Sequence, residues 1–151
     1  MHLIRPMQTS DIDQVHQIEL TAHRAPWSRT ILRDCVLVGY DCRVLEQVDV
    51  RGKRVVGYII SRYSDNVCHI LNLCIDVKQQ KKGLGKFILK TVLGSLKSPV
   101  VDTIILEVRP TNLAAIALYE GFGFQHGEIK RNYYKDENGT EDALLLRKSL
   151  I

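Results

Sequence analysis

The stretch Gln80-Lys81-Lys82-Gly83-Leu84-Gly85 constrains this chain more than any other. It lies between an apolar run, Val67 to Val77, and a segment with Leu84, Phe87, Ile88, Val92 and Leu96 at helical spacing. A strand, a glycine-containing turn and an amphipathic helix in that order predict a strand-helix-strand crossover. Its second strand is Thr103 to Val108, whose nearly continuous apolar run predicts a strand covered on both faces. Glycines in such a turn let backbone N–H groups approach an anion, and the helix start adds the positive end of its dipole. Lys78, Lys81, Lys82 and Lys86 surround it. The pattern lacks the Gly-Lys-Ser/Thr ending of a nucleotide P-loop and the third glycine of a dinucleotide fingerprint.

The remaining elements follow from periodicity and stop signals. His2 to Arg5 is a short strand ended by Pro6. Thr9 or Ser10 caps a helix with Asp11 and Asp13 in its first turn and Ile12, Val15, Ile18 and Ala22 as its apolar stripe. Ser28 caps a second helix, Arg29 to Leu37. Cys42 to Val50 and Val55 to Tyr63 are strands joined by Arg51-Gly52-Lys53, and Ser64-Asp65-Asn66 turns into the strand from Val67. Ser98-Pro99 ends the third helix, and Asn112 caps a fourth that runs to Tyr119 or Glu120 before Gly121 and Gly123. Phe124 to Tyr134 and Ala143 to Leu150 form a last hairpin across Asp136-Glu137-Asn138-Gly139. The expected architecture is α/β, a single domain over residues 1–151 with a mixed sheet and the order β-α-α-β-β-β-α-β-α-β-β.

Composition narrows the function classes. At 151 residues the chain can bury roughly 70% of its unfolded surface, so a core needs no disulfide or metal. No apolar run reaches the ~18 residues of a membrane span, and the N-terminus lacks a secretory core. Cys35, Cys42, Cys68 and Cys74 form no C-x-x-C pair and read as buried small hydrophobes in a reducing compartment. The expected location is therefore the cytoplasm, with no membrane partner. The five histidines show no ligand spacing, so no metal is expected and they read as non-catalytic. The net charge of +4 is too small to imply nucleic acid, and no basic stripe is interleaved with aromatics. Its location is informative, because Val77 to Val101 holds six lysines and no acid while the rest carries 15 basic against 17 acidic residues. That excess at one address suits a single phosphorylated cofactor.

Q-x-x-G-x-G between a strand and a helix resembles the acetyl-CoA pyrophosphate loop of the GNAT N-acetyltransferases, and the element order is that family's order. The resemblance extends over the whole chain. Ala22-His23-Arg24-Ala25-Pro26-Trp27-Ser28, Leu106-Glu107-Val108-Arg109 with Asn112 to Glu120, and Arg131-Asn132-Tyr133-Tyr134 are similar to its RimI-type branch, the ribosomal-protein-alanine N-acetyltransferases. The resemblance implies transfer of an acetyl group from acetyl-CoA to the N-terminal amine of an alanine-starting protein, expected to be a small-subunit ribosomal protein. Relatives that act on other N-termini, lysines or small amines share many of these features. A non-catalytic acyl-CoA-binding module on the same fold is the remaining alternative.

Such a transfer needs a base for the amine, a donor to the oxyanion and an acid for the thiolate. Glu107 interrupts an apolar run at the C-terminal end of a strand, where α/β ligand sites lie. On its own it reads as a strand-end carboxylate paired to Arg109 or a lysine; the resemblance implies the general base. Tyr119 lies seven residues past Asn112, on nearly the same helix face. It reads as a core tyrosine from spacing and as the general acid from the resemblance. Asn112 serves as helix cap, cofactor contact or both. Leu73, Cys74 and Ile75 match the stretch whose backbone pairs with the pantetheine arm, and Lys81, Lys82, Gly83, Leu84, Gly85 and Lys86 match the pyrophosphate cradle. Cys74 has no evident histidine partner, which disfavours an acyl-cysteine mechanism. Trp27, Tyr133 and Tyr134 are candidate walls of a peptide groove. Strand alternation predicts that at most one of the two tyrosines faces it.

Overall fold

The structure is a computed structural model that describes residues 1–96 and 100–151. The strands form one sheet. In chain order they are β1 (His2–Pro6), β2 (Asp41–Asp49), β3 (Gly52–Ser64), β4 (Val67–Ile75), β5 (Thr103–Val108), β6 (Gln125–Asp136) and β7 (Gly139–Ser149). Their spatial order is β1-β2-β3-β4-β5-β7-β6. The helices are α1 (Ile12–Ala22), α2 (Arg29–Leu37), α3 (Leu84–Ser95) and α4 (Leu113–Gly121), so the element order matches the sequence reading. The stop at Ser98-Pro99 lies outside the described residues.

Contacts divide the chain into two compact units. The first comprises residues 1–62 and 72–95, and the second residues 63–71 and 96–151.

In the first unit β1, β2 and β3 pair antiparallel, Ile4 opposite Leu45 and Val44 opposite Tyr58. The core includes Val15, Leu32, Leu45, Tyr58, Ile60, Ile88 and Leu89, all at most 1% exposed. Residues 55–61 of β3 are buried without a break, so this strand is the one covered on both faces. The start of α1 differs from expectation. Neither Thr9 nor Ser10 caps it. A single 3-10 turn, Thr9–Asp11, precedes the helix, and the Asp11 carboxylate accepts from the Gln8 backbone N–H at 2.8 Å and from Arg5 at 2.9 Å. Burying Asp11 favours its neutral form, and the Arg5 guanidinium overcomes this to hold the carboxyl below its usual range. The Ser28 cap stands as expected, its hydroxyl accepting from the Ile31 N–H at 3.2 Å. On α3 the buried face is Leu84, Ile88, Leu89 and Val92, whereas Phe87 is exposed. The stripe leans toward i+4 and i+5 from Leu84, which turns position 87 outward.

In the second unit β4 and β5 run parallel, with Val67 opposite Thr103 and Ile70 opposite Leu106. This pairing ends one residue before Glu107. Along β5 buried and half-buried residues alternate, so one face is closed and Thr103, Ile105 and Glu107 line a half-buried face. The expected coverage of both faces is found only in part: the second face is half-buried along the strand, although the Glu107 side chain is itself largely covered. β7 lies antiparallel between β5 and β6, with Leu145 opposite Glu107 and Ala143 opposite Lys130. The register of β6 slips between Lys130 and Tyr134, and Asn132 takes φ +52° inside the slip. This bulge abolishes the simple alternation expected of Tyr133 and Tyr134, whose rings meet edge to face at 5.0 Å.

Candidate active site

The first unit carries the anion loop. β4 ends at Ile75, earlier than the expected Val77, because the Asp76 side chain accepts from the Lys78 N–H at 3.1 Å and starts a single 3-10 turn. The Gln80 amide donates to the Ile75 carbonyl at 3.0 Å and ties the loop back to the strand end. Lys81 and Gly83 have φ +64° and +79°, and the first turn of α3 begins as the Phe87 N–H bonds the Gly83 carbonyl at 3.0 Å. A β-carbon on Gly83 would meet nothing within 4 Å. Its glycine is therefore demanded by backbone conformation and by open approach, rather than by internal packing. Lys78, Lys81, Lys82 and Lys86 are exposed around it, and Leu84 faces the core. This donor set fits a phosphorylated ligand: backbone N–H groups at a helix start, exposed lysine charges and no acid among residues 77–96.

On β4 Leu73 is half-buried, and Cys74 and Ile75 are buried. Burial pushes the Cys74 thiol up to about 12, so the side chain stays protonated and unreactive. Cys35, Cys42, Cys68 and Cys74 are all buried and none is in a disulfide.

A second cluster in this unit was not anticipated. Glu19 of α1 is 1% exposed. Its Oε1 accepts from the Tyr58 hydroxyl and, at 2.8 Å, from the Asn72 amide, while its Oε2 accepts from the Trp27 backbone N–H at 2.9 Å. Trp27 sits half-buried on the α1–α2 connection. The buried carboxylate thus pins the loop that carries the candidate groove wall. A glutamate inside an α1 stripe of isoleucines and valines was the available signal, since such a residue is seldom buried without partners.

The second unit is organised around Glu107, whose side chain is 6% exposed. Its Oε2 lies 2.6 Å from His69 Nε2, and its Oε1 accepts from Lys130 Nζ at 2.7 Å. Register explains the assembly. His69 pairs with Ile105, two residues before Glu107 and therefore on the same face. From the other side Lys130, opposite Ala143, reaches across β7 to Glu107, opposite Leu145. Burial alone would raise the Glu107 carboxyl; the hydrogen bonds and charge of His69 and Lys130 outweigh it and hold it at about 2. The same contact with Glu107 raises the Lys130 ammonium. Arg109, the other partner considered for Glu107, is engaged elsewhere. It bonds Glu141 at 3.0 Å, approaches Asp136 at 3.7 Å and stacks 4.3 Å from the Tyr134 ring centroid.

Two further candidates belong to α4, Asn112 at its cap and Tyr119 within it. Asn112 caps α4, its side-chain oxygen accepting from the Ala115 N–H at 3.2 Å. Tyr119 is 6% exposed, with its ring edge-on to Phe124 at 5.4 Å. Burial first, and then Tyr134, push its hydroxyl above the ordinary phenol range. Tyr134 in turn is pushed up by burial, with Tyr133 and Glu107 adding to it. Glu107, Tyr133 and Tyr134 are thus brought together with Tyr119 in electrostatic range of Tyr134. Trp27 and the anion loop belong to the first unit. His69 and Lys130 escaped the sequence reading because one stands on β4 and the other beside a bulge, and neither register is written in local pattern.

The strand order β1-β2-β3-β4-β5-β7-β6, with a glycine-containing loop between β4 and α3, is the fold of a GNAT-class acetyltransferase. The sequence profile described as the Acetyltransferase (GNAT) family matches residues 12–124, and the chain belongs to that family. Its members use acetyl-CoA as acetyl donor. Particular relatives are the [ribosomal protein bS18]-alanine N-acetyltransferases of Escherichia coli K12, 32% identical over 146 residues, and of Salmonella typhimurium, 34% identical over 146 residues. Each comparison covers 97% of this chain and 96% of the relative. The crystal structure of the ribosomal-protein-S18-alanine N-acetyltransferase from Escherichia coli superposes with a TM-score of 0.89, covering 99% of this chain and 94% of that one. Arabidopsis thaliana NAA60 in complex with a bisubstrate analogue, at 19% identity and a TM-score of 0.86, shares the fold.

Proposed function

We propose that this chain transfers the acetyl group of acetyl-CoA directly to the N-terminal α-amine of an alanine-starting ribosomal protein in the cytoplasm. The observation that carries the reading is the Glu107 carboxylate, ionised and already holding a primary ammonium, that of Lys130, at 2.7 Å. A centre that binds one alkylammonium is suited to receive another. The likeness, over 97% of this chain, to enzymes named for ribosomal protein bS18 alanine supports this choice of acceptor.

In this mechanism the loop amides and lysines bind the pyrophosphate, and the backbone of Leu73, Cys74 and Ile75 aligns the pantetheine arm. An N–H from that stretch is the oxyanion donor. Trp27, Tyr133 and Tyr134 border the peptide. Glu107 orients the incoming ammonium. An α-amine titrates near 8, so a carboxyl held at about 2 is a poor direct acceptor, and the proton leaves through water hydrogen-bonded to Glu107. The amine lone pair then attacks the thioester carbonyl, the C–S bond breaks, and Tyr119 donates to the departing sulfur. Its raised pKa keeps that donor protonated throughout the working range. Glu107→Gln is expected to lower kcat about 100-fold or more while acetyl-CoA affinity is nearly retained. Steady-state release of free thiol, with acetyl-CoA binding measured separately, tests this. A rate within about threefold of wild type removes Glu107 from the chemistry.

A further inference from the structure

We propose that Lys130 is an internal acetyl acceptor, so that the enzyme modifies its own chain at the seat meant for substrate. The inference rests on the reading of Glu107 as the carboxylate that receives the acceptor amine. Lys130 Nζ lies 2.7 Å from Glu107 Oε1 and 5.5 Å from the Tyr133 ring centroid, with His69 on the other carboxylate oxygen. It is a primary amine, and its side chain is 39% exposed, so the seat opens to solvent at the lysine end. No change of fold is needed to bring it to the carboxylate. Its pairing opposite Ala143 puts it one strand away from Glu107, which stands opposite Leu145.

The step balances with the family's own donor. The ammonium of Lys130 loses one proton through water at Glu107. The Nζ lone pair forms a C–N bond to the acetyl carbonyl carbon, the C–S bond breaks, and the sulfur leaves as CoA thiol after taking a proton. The products are Nε-acetyl-Lys130 and CoA, with nothing oxidised or reduced. The modification removes a positive charge from Glu107 and puts a neutral amide where the ammonium was. An incoming α-ammonium then no longer competes with a tethered one. Modification at this position is therefore a means by which acetyl-CoA supply can reset the enzyme's affinity for its protein substrate.

The experiment incubates the purified full-length chain with acetyl-CoA alone and maps acetylated lysines by mass spectrometry. A parallel reaction with an alanine-starting peptide reports the proposed function. The expected result is acetylation of Lys130 ahead of the exposed Lys78, Lys81 and Lys82, at a rate per chain that dilution does not change. Glu107→Gln lowers Lys130 labelling about 100-fold, and an isotopically heavy Glu107→Gln chain mixed with wild type stays unlabelled. Peptide acetylation without Lys130 labelling overturns this inference and leaves the proposed function standing. Lys130 labelling no faster than at the loop lysines, or equal in Glu107→Gln, also overturns it by showing uncatalysed thioester chemistry. If neither peptide nor Lys130 is labelled, the proposed function falls with it.

Discussion

Glu107 shows how much of a residue's chemistry depends on neighbours that the sequence does not place beside it. Its position at the end of an apolar strand was readable, and so was the alternative of an ion pair. Its actual partners, His69 and Lys130, come from strands on either side. They give it a pH signature. The carboxyl falls from 4.5 to about 2 on folding, so its contribution to stability is fully present above about 4.5 and is lost as pH falls toward 2. Denaturant unfolding of wild type and Glu107→Gln across that range tests the sign. The stability gap between them is expected to be largest near neutral pH and to narrow below pH 4.5. A gap that widens on acidification would mean that the contacts from His69 and Lys130 do not stabilise the ionised form. Tyr119 makes the complementary point. Spacing fixed its helix face, but only packing shows it buried beside Phe124 with a hydroxyl that holds its proton.

At the scale of elements, two loops carry the candidate ligand-binding groups, and each is held by a different device. The anion loop is held by backbone geometry. Gly83 has φ +79° and open space before it, so Gly83→Val combines a backbone penalty of about 1–2 kcal/mol with a side chain in the approach path. A marked loss of acetyl-CoA affinity is expected by calorimetry, with the peptide KM changed less. Unaltered acetyl-CoA affinity would contradict the loop assignment. The α1–α2 connection is held by the buried Glu19 carboxylate through the Trp27 N–H. Glu19→Gln keeps the shape, and it removes the charge that Tyr58 and Asn72 bond to. It is expected to raise the peptide KM more than the acetyl-CoA KM and to lower thermal stability. Equal changes in both KM values would remove the loop from substrate binding.

These elements also show what local pattern can and cannot carry. The Ser28 and Asn112 caps and the last hairpin were legible because each is a short-range signal. Expectation failed where a long-range partner decides. A 3-10 turn held by Asp11 through Arg5 and the Gln8 N–H replaces the cap expected at Thr9 or Ser10, the second face of β5 is only half-buried, and the rings of Tyr133 and Tyr134 meet beside the β6 bulge. The glycine loop of the first unit and the β5 carboxylate of the second were each legible as candidates. The supports in each unit, Glu19 in the first and His69 and Lys130 in the second, were not, because register and burial select them.

For the whole molecule the charge distribution and the fold support the same function. The positive excess is confined to the segment that starts with the anion loop, and the remaining chain is net negative. That is the pattern of a protein with one anionic ligand rather than a nucleic-acid surface. The fold matches N-acetyltransferases over its full length. The proposed choice of acceptor, by contrast, rests on one carboxylate and the rings beside it. The most direct test of the central claim is therefore a peptide panel, read by free-thiol release from acetyl-CoA and by mass spectrometry. The panel varies the first residue and includes peptides with a blocked N-terminus and an internal lysine. Preferred acetylation of the α-amine of alanine-starting peptides is the predicted result. Labelling of the internal lysine alone, with free alanine N-termini untouched, would contradict the account.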